Sequence, residues 1–339
     1  MNGSILLVGG AGYIGSHMCL ALMDAGYTVT VFDNLTRGHA DAVDGAELVV
    51  GDIRSGDDLR ACFQRHQYDV VMHFAALAYV GESVEAPALY YDNNVAGTLR
   101  LVDAMRAAGN SRLVFSSTCA TYGDPIELPI GEAHPQMPVN PYGRTKLMVE
   151  QVLADYARAY ALQSVSLRYF NAAGCDPKGR AGERHAPETH LIPLVLQEAM
   201  RVGAGGDPDA TKLLVLGGDF PTRDGTCVRD YIHVDDLCRA HLLASERLLR
   251  GEVVGAEAYN LGNGRGFTVL EVIAAAKRVT GIDIEYRMVS RRAGDPAGLV
   301  GCADKAHAVL GWEPRFTDLD AMLATAWRWM CGAAAGEAS

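Results

Sequence analysis

A doubly wound α/β architecture, a parallel sheet covered by helices on both faces and followed by a smaller α/β lobe, is what this sequence predicts, on three observations. Short β-branched runs alternate with longer helical patterns through the first half. A glycine-rich turn, Gly9-Gly10-Ala11-Gly12-Tyr13-Ile14-Gly15, lies directly between the first strand-like run and the first helical one. The length, 339 residues, exceeds what one compact core usually holds, so two lobes are expected. At 49% hydrophobic and 21% charged residues, the composition is that of a soluble globular protein.

Ile5–Val8, Thr28–Phe32, Glu47–Val50, Val70–Phe74, Leu113–Ser116 and Ser164–Arg168 are short, mostly continuous apolar runs, as expected of parallel strands buried on both faces. Helices are expected between them at Ile14–Ala25, Asp57–Arg65, Leu89–Ala108 and Pro141–Tyr160. The last opens on a proline, whose missing N–H costs nothing in a first turn. After Asn171 the texture changes to AAGCDPKG, and the lobe boundary is expected there. Residues 1–175 then form the first lobe and 176–339 the second, with part of 227–262 returning to the first. The second should hold helices at Leu191–Val202, Asp235–Leu249, Val269–Val279 and Asp320–Met330 and strands at Leu213–Leu216 and Ile284–Met288. Gly332–Ser339 has nothing to bury and is expected to fray.

Net charge is −11 with no block of lysine or arginine, which argues against nucleic acid and anionic membranes as partners. An anionic substrate would need local arginines. Ser4–Val8 follows the N-terminus without a basic, apolar leader, and no stretch approaches membrane-spanning length. The eight cysteines are dispersed without CxxC spacing, so reduced thiols in a cytoplasm are expected. No two of the ten histidines share a zinc-type helix spacing with a nearby acid, and no metal is expected.

Gly9, Gly12 and Gly15 follow a strand and open a helix, the context in which backbone N–H groups approach a pyrophosphate. A Rossmann-type dinucleotide-binding domain is therefore expected. Asp33 ends the second strand about 20 residues further on, where a carboxylate accepts hydrogen bonds from ribose hydroxyls and repels a 2′-phosphate. NAD is thus expected over NADP. Arg37 nearby is read as solvated. Asp52, after the third strand, either meets the adenine amino group or shapes a turn.

Tyr142 and Lys146, in YGRTK at the start of the Pro141–Tyr160 helix, carry the reactive chemistry. A tyrosine with a pKa of about 10 needs help of roughly 3 units to serve as a base near neutrality. On one helical face, the Lys146 ammonium can give that help. Thr118, in SSTCATYG, leaves the same sheet edge with a hydroxyl that can bridge Tyr142 and a substrate alcohol. Cys119 beside it lacks an adjacent histidine and is read as a packing residue.

With these residues in place, the chain resembles the UDP-galactose (UDP-glucose) 4-epimerases of the extended short-chain dehydrogenase/reductase superfamily. The likeness spans nearly the whole chain through GGAGYIGSH, FDNL, GDIR, HFAALAYVGES, YYDNNVAGTLRL, SSTCATYG, NPYGRTKLMVE, LRYFNAAG, DGTCVRDYIHVDDL, YNLGNG and RRAGDPA, in the family's order. It implies a tightly held NAD that is not consumed. Tyr142 would take the proton from sugar O4 while the C4 hydride passes to the nicotinamide, and the hydride would return to the other face of the 4-keto sugar.

Carried onto matching positions, the resemblance adds Tyr13 and Ile14 to the pyrophosphate turn and Asn34, Leu35, Thr36, Arg37 and Gly38 to the ribose side. Ile53 joins Asp52, and Phe74, Ala75 and Ala76 follow the fourth strand. Asn93, Tyr169 and Phe170 look like further cofactor contacts, as do Thr118, Tyr142 and Lys146. Asn171 looks like a contact to the substrate phosphates, and His190 with Leu191 like one to the diphosphate or uridine. Arg229 and Arg292 look like the arginines that grip the diphosphate, and Asp295 like a ribose- or uracil-side acid. Galactose metabolism and a homodimer are also implied, with the faces of Leu89–Ala108 and Pro141–Tyr160 as the pairing surface.

Three positions depart from the family's pattern. Thr118 replaces a frequent serine, Ala78 a frequent lysine near the nicotinamide, and His190 a frequent asparagine. Leu299 stands where a small residue or a tyrosine gates N-acetylated sugars. HFAALAYVGES and SSTCATYG resemble UDP-arabinose 4-epimerases, whereas APETHLIPLVLQ and RRAGDPA resemble a bacterial hexose type. UDP-hexose, UDP-pentose and UDP-N-acetylhexosamine all stay open, because one CH2OH is worth only about 1–3 kcal/mol. A 4,6-dehydratase would need an acid beside Thr118, where Cys119 and Ala120 stand instead. A non-catalytic NAD sensor should lack the tyrosine and lysine.

Overall fold

The computed structural model describes residues 2–337 except 208–209, 211–212 and 293–294. Its first half lays down β1 (Ser4–Val8), β2 (Thr28–Asp33), β3 (Glu47–Val50), β4 (Val70–His73), β5 (Arg112–Thr118) and β6 (Gln163–Tyr169), each following its apolar run to within a residue or two. Ile5, Leu6, Leu7 and Val8 in β1 are all 0% exposed, so both faces of the strand are covered. Each such side chain contributes about 1.5–3 kcal/mol on burial.

The intervening helices are α1 (Tyr13–Asp24), α2 (Gly56–Phe63), α3 (Val80–Glu85), α4 (Pro87–Tyr90), α5 (Gly97–Ala107) and α6 (Pro141–Tyr160). The helix expected over Leu89–Ala108 is present and widens into a π-type turn at Tyr91–Ala96, between α4 and α5. That turn carries Asn94, which is buried. The Asn94 side chain accepts from Leu77 N (2.9 Å) and donates to Leu77 O (3.0 Å) and Thr145 Oγ1 (3.1 Å). The widened turn thus holds an amide that pins the segment after β4 to α6.

The second half contains β7 (Asn171–Ala173), α7 (Leu191–Gly203), β8 (Leu214–Leu216), β9 (Val228–His233), α8 (Val234–Leu249), β10 (Ala256–Leu261), β11 (Gly266–Thr268), α9 (Val269–Thr280), β12 (Arg287–Val289), β13 (Gly298–Leu299) and α10 (Leu319–Glu337). The strand expected at Ile284–Met288 shifts toward the C-terminus, because Ile284 is fully buried in the lobe core while Arg287–Val289 pair with β8. The end does not fray where expected: α10 runs to Glu337 through a stretch rich in alanine, the strongest helix former. Ala338 and Ser339 lie outside the described residues.

Seven parallel strands form the main sheet in the order β10-β6-β5-β4-β1-β2-β3. The order reverses beside β1, between β4 and β2, which is where an open α/β sheet leaves a ligand crevice at its carboxyl edge. Gly9, Asp33, Phe74, Thr118 and Tyr169 all lie on that edge. β10 adds to the sheet beside β6, and α8 packs back onto it with Leu237, Ala240 and Ala244 buried. A smaller sheet of β11, β9 and β13, joined by β7, and the β8–β12 pair complete the fold. Ile192, Val195, Leu196, Val272 and Met322 from α7, α9 and α10 close a second core.

Candidate active site

The chain leaves β1 at Gly9 with φ +82. A Cβ there would lie 2.3 Å from Ala75 N, and one on Gly15 would lie 2.4 Å from Gly9 O, so β4's exit, the turn and α1 meet through bare backbone. Gly12 differs: the only heavy atom within 4 Å of its Cβ position is Gly9 O, at 3.8 Å. Its outer side is open. Gly12 is also the N-cap of α1 and offers no side chain, so the first-turn N–H groups, those of Tyr13 and Ile14 included, remain for an anion. Phe74 and Ala75 both donate to Val8 O, at 2.7 and 2.9 Å, and Ala76 N donates to Phe74 O at 2.8 Å. This open backbone cradle fits a dinucleotide pyrophosphate. The Tyr13 phenol is engaged elsewhere, donating to Gly174 O at 2.6 Å.

Asp33 ends β2 with Oδ2 accepting from Ala11 N (3.0 Å) and Oδ1 from Leu35 N (2.8 Å). The second bond accompanies an unusual φ of +59 at Leu35. Burial pushes the Asp33 carboxyl up and the two N–H donors pull it back. Each oxygen keeps acceptor capacity for a ribose hydroxyl. Arg37 corrects the expectation of a solvated side chain. It donates to Glu82 Oε1 (2.9 Å) and Ala186 O (3.2 Å) and lies 4.9 Å over the Tyr79 ring, because the segment around Ala186 crosses this part of the first lobe. A 2′-phosphate would therefore meet Glu82 as well as Asp33.

Asn34 accepts from Thr36 N and Oγ1, at 3.1 and 2.6 Å, and donates to Asp52 Oδ2 at 3.1 Å. Gly38 packs so tightly that a Cβ would lie 2.8 Å from Ala11 Cβ. Asp52 clamps Arg54 Nε and Nη2, at 3.0 and 2.7 Å, which holds its carboxyl well below the usual range. Its place in the fold is that of a turn clamp, with Ile53 buried beside it.

At the end of β5 the reactive groups converge. Asn140 caps α6 by accepting from Gly143 N (2.8 Å), fixing the turn that carries Tyr142. Lys146 Nζ donates to Ser116 O at 2.7 Å and lies 4.7 Å over Phe115 and 6.0 Å from the Tyr142 ring centre. The Thr118 hydroxyl, on the same sheet edge, accepts from Ala120 N at 3.1 Å. Burial drives Lys146 down to about 7. The Tyr142 phenol is pushed well up, by burial first and then by Tyr169, with Thr118 pulling the other way. Cys119 is pushed up to about 12 by burial, which keeps its thiol inert as expected.

Two residues were missed in the sequence. Glu150 continues the Tyr142, Lys146 face at the next i+4 step, and extending that stripe would have found it. It pairs with Arg168 at 2.6 Å and with the Ser117 hydroxyl, and Arg168 donates to Tyr122 OH at 2.9 Å. Asn94 carries no local signal beyond its neighbour Asn93, whose amide donates to Asn94 Oδ1 at 3.0 Å.

On the β9 side, Arg229 donates to Val228 O (2.8 Å) and Pro296 O (2.9 Å) and lies 3.8 Å from Asp295 Oδ1. Arg292 donates to both Asp295 oxygens, at 3.2 and 2.8 Å. One carboxylate thus bridges two guanidiniums, so Asp295 is the arginines' counter-ion in this structure. Ala293 and Gly294 of RRAGDPA lie outside the described residues. Leu299 stands opposite Arg229 in the β13–β9 register and packs against the cluster of Cys119, Tyr122, Ile130 and Phe170. Asn171 opens β7 and stands opposite Tyr231 in the parallel β7–β9 register. His190 and Leu191 begin α7, with His190 Nδ1 2.5 Å from Glu183 Oε1. Ala78 is exposed next to Tyr79.

The comparisons with known proteins agree with this geometry. Residues 5–262 match the model of the NAD dependent epimerase/dehydratase family. The UDP-glucose 4-epimerase of Rhizobium meliloti is 51% identical over 97% of this chain and 97% of its own. The crystal structure of UDP-glucose 4-epimerase from Brucella ovis in complex with NAD superposes with a TM-score of 0.90 at 48% identity, covering 96% of this chain and 98% of that one. A Stenotrophomonas maltophila UDP-glucose-4-epimerase with bound NAD and formylated UDP-arabinopyranose gives a TM-score of 0.90 at 40% identity, covering 98% and 99%. A glycine cradle on a reversing parallel sheet, a buried tyrosine and lysine, and full-length likeness at this level lead to one assignment: the chain belongs to the NAD dependent epimerase/dehydratase family.

Proposed function

We propose that this enzyme interconverts UDP-galactose and UDP-glucose by inverting sugar C4 through a 4-keto intermediate, with NAD held throughout. The observation that carries this reading is the buried Thr118–Tyr142–Lys146 corner at the carboxyl edge of the sheet. Gly9, Gly12 and Gly15 would hold the pyrophosphate of NAD and Asp33 its adenosine ribose, with Phe74–Ala76, Asn93, Tyr169 and Phe170 lining the rest. NAD, when bound, supplies the hydride acceptor and donor and a positive charge in this dry corner.

The chain's own residues handle the proton and the orientation. Tyr142 takes the O4 proton and returns it, and Thr118 shares a hydrogen bond with the reacting oxygen. Lys146, anchored on Ser116 O, places its charge beside the phenol, where the low dielectric strengthens its effect. Arg229 and Arg292 exchange Asp295 for the substrate diphosphate, with Asn171, His190 and Leu191 around the nucleotide.

A second reading is favoured by one relative: the Stenotrophomonas maltophila structure contains a UDP-arabinopyranose derivative. A UDP-pentose would use the same residues without the CH2OH group. Leu299, intermediate in size, bears on N-acetylated sugars. We also propose a cytoplasmic homodimer in which the outer faces of α5 and α6 pair. Met148 and Tyr160 are 40% and 52% exposed there. No helix among the described residues is long and apolar enough to cross a membrane.

The test is a comparison of kcat/KM for UDP-galactose, UDP-arabinose and UDP-N-acetylgalactosamine with the protein as purified and no added reductant. UDP-galactose turnover is expected to lead. Turnover of the pentose alone would transfer the assignment to the second reading.

A further inference from the structure

Between β7 and α7 the chain runs through Glu183-Arg184-His185-Ala186-Pro187-Glu188-Thr189-His190 as an irregular loop. It folds back on itself so that one ligand atom each of Glu183, His185, Glu188 and His190 lies within 4.8 Å of the other three. Helix spacing was no guide to this group, because its members come from a loop. Glu183 Oε1 is 3.0 Å from His185 Nδ1 and 2.5 Å from His190 Nδ1. Glu188 is 3.8 Å from His185 Nδ1 and 3.7 Å from His190 Nδ1. We propose that these four side chains form a divalent transition-metal site, of the zinc class, that pins the loop against the cofactor lobe.

Geometry, charge and donor chemistry each support this. A tetrahedral zinc ion with bonds of about 2.0–2.2 Å needs donors about 3.3–3.5 Å apart, and the contacts above fall on both sides of that value. Only small side-chain movements separate the loop from a coordinating set. The two carboxylates are 7% and 6% exposed, so two negative charges are withheld from water. Neighbouring guanidiniums are engaged elsewhere, Arg184 with Asp41 at 2.9 Å and Arg37 with Glu82 at 2.9 Å. One divalent ion matches the charge of the two carboxylates, and the two imidazole rings that would complete its shell have centres 5.1 Å apart. Imidazole nitrogen with carboxylate oxygen is a donor set suited to zinc, and His190, with 47% of its side chain exposed, leaves an approach from solvent.

The loop's contacts say what such an ion would do. His185 lies edge-on to Tyr13 and Tyr79, at 6.1 and 5.9 Å between ring centres. Arg37 and Tyr79 donate to Ala186 O and Pro187 O, at 3.2 Å each. Tyr13 belongs to the glycine turn, and Arg37 follows the ribose-side carboxylate. An ion at the cluster fixes the segment that seats these residues, so it stabilises the cofactor lobe without touching the reacting atoms.

The experiment uses NAD-loaded protein stripped with a chelator and dialysed, then titrated with zinc alone by calorimetry and with cobalt(II) alone by visible absorption. Wild type is expected to bind one zinc per chain, to show the intense visible bands of four-coordinate cobalt, and to melt at a higher temperature with zinc. Glu183→Gln and His185→Gln should each weaken zinc by about 100-fold or more and abolish the shift in melting temperature. Because either variant can fold poorly, His190→Asn provides a second check, read by the loss of the cobalt bands at unchanged NAD content. Absence of stoichiometric zinc on wild type, or wild-type affinity in folded Glu183→Gln or His185→Gln protein, overturns the site and leaves a protonated ion cluster instead.

Discussion

At the end of β5, Lys146 is 3% exposed and its ammonium rests on a single carbonyl, Ser116 O. On the β9 side, Arg292 has 51% of its side chain in solvent and shares Asp295 with Arg229. The first region withholds a charge from water and so makes it easy to perturb. The second pairs its charges: Arg229 and Asp295 are each 13% exposed and Arg292 reaches solvent, so a diphosphate can replace the one carboxylate that bridges them. Proton transfer needs the dry arrangement, because a neighbouring positive charge offsets the burial that pushes the phenol up only where it is weakly screened. Substrate capture needs the paired one, since a counter-ion holds the site while ligands come and go.

That contrast can be broken most severely at Tyr142. Tyr142→Phe keeps the ring and removes the proton carrier, so kcat should fall by about 10³-fold with little change in KM, read by steady-state turnover. A variant with full turnover would remove Tyr142 from its role.

The next effect falls on stability. Glu150→Leu leaves the buried Arg168 guanidinium without its carboxylate, and a loss of about 3–5 kcal/mol is expected from urea unfolding. A loss well under 1 kcal/mol would mean that its other acceptors, Tyr122 OH, Glu132 O and Gln136 Oε1, satisfy Arg168 without the carboxylate.

Arg292→Ala should act on binding. KM is expected to rise by about 10-fold or more with kcat nearly unchanged, as for one charged hydrogen-bonded contact to a phosphate. A fall in kcat at constant KM would place Arg292 with the reacting groups instead.

The last effect sharpens the dry side. Burial lowers Lys146 from 10.5 to about 7, so between those pH values the unfolded chain holds a proton that the native chain lacks. Stability from this group therefore rises with pH across that window, by at most about 1.4 kcal/mol per pH unit, and the burial cost is fully present below pH 7. In cofactor-free protein, Lys146→Met should gain stability relative to wild type, more at about pH 6 than at about pH 10. An equal gain at both would show that the ammonium is not desolvated.

Much of this was legible in the sequence because the main sheet is buried on both faces. Its strands are continuous apolar runs, and residues at strand ends, such as Asp33 and Thr118, inherit their positions from those runs. Tyr142 and Lys146 were legible because helix geometry alone places them on one face. What escaped depends on contacts between distant segments. β9, Val-Arg-Asp-Tyr-Ile-His, carries charges because Asp230 accepts backbone N–H groups from Asn263, Gly264 and Gly301. Arg37 looked free because its partners, Glu82 and Ala186, come from other parts of the chain. The Glu183–His190 cluster exists only once its loop is folded.

The central claim is that hydride leaves C4 and returns to C4 within one closed site. UDP-galactose labelled with deuterium at C4 tests it directly when turned over in ordinary water. The UDP-glucose formed is expected to keep its C4 label in full, with none released to solvent. Loss of the label to water would contradict it, since C4 would then be inverted by proton exchange.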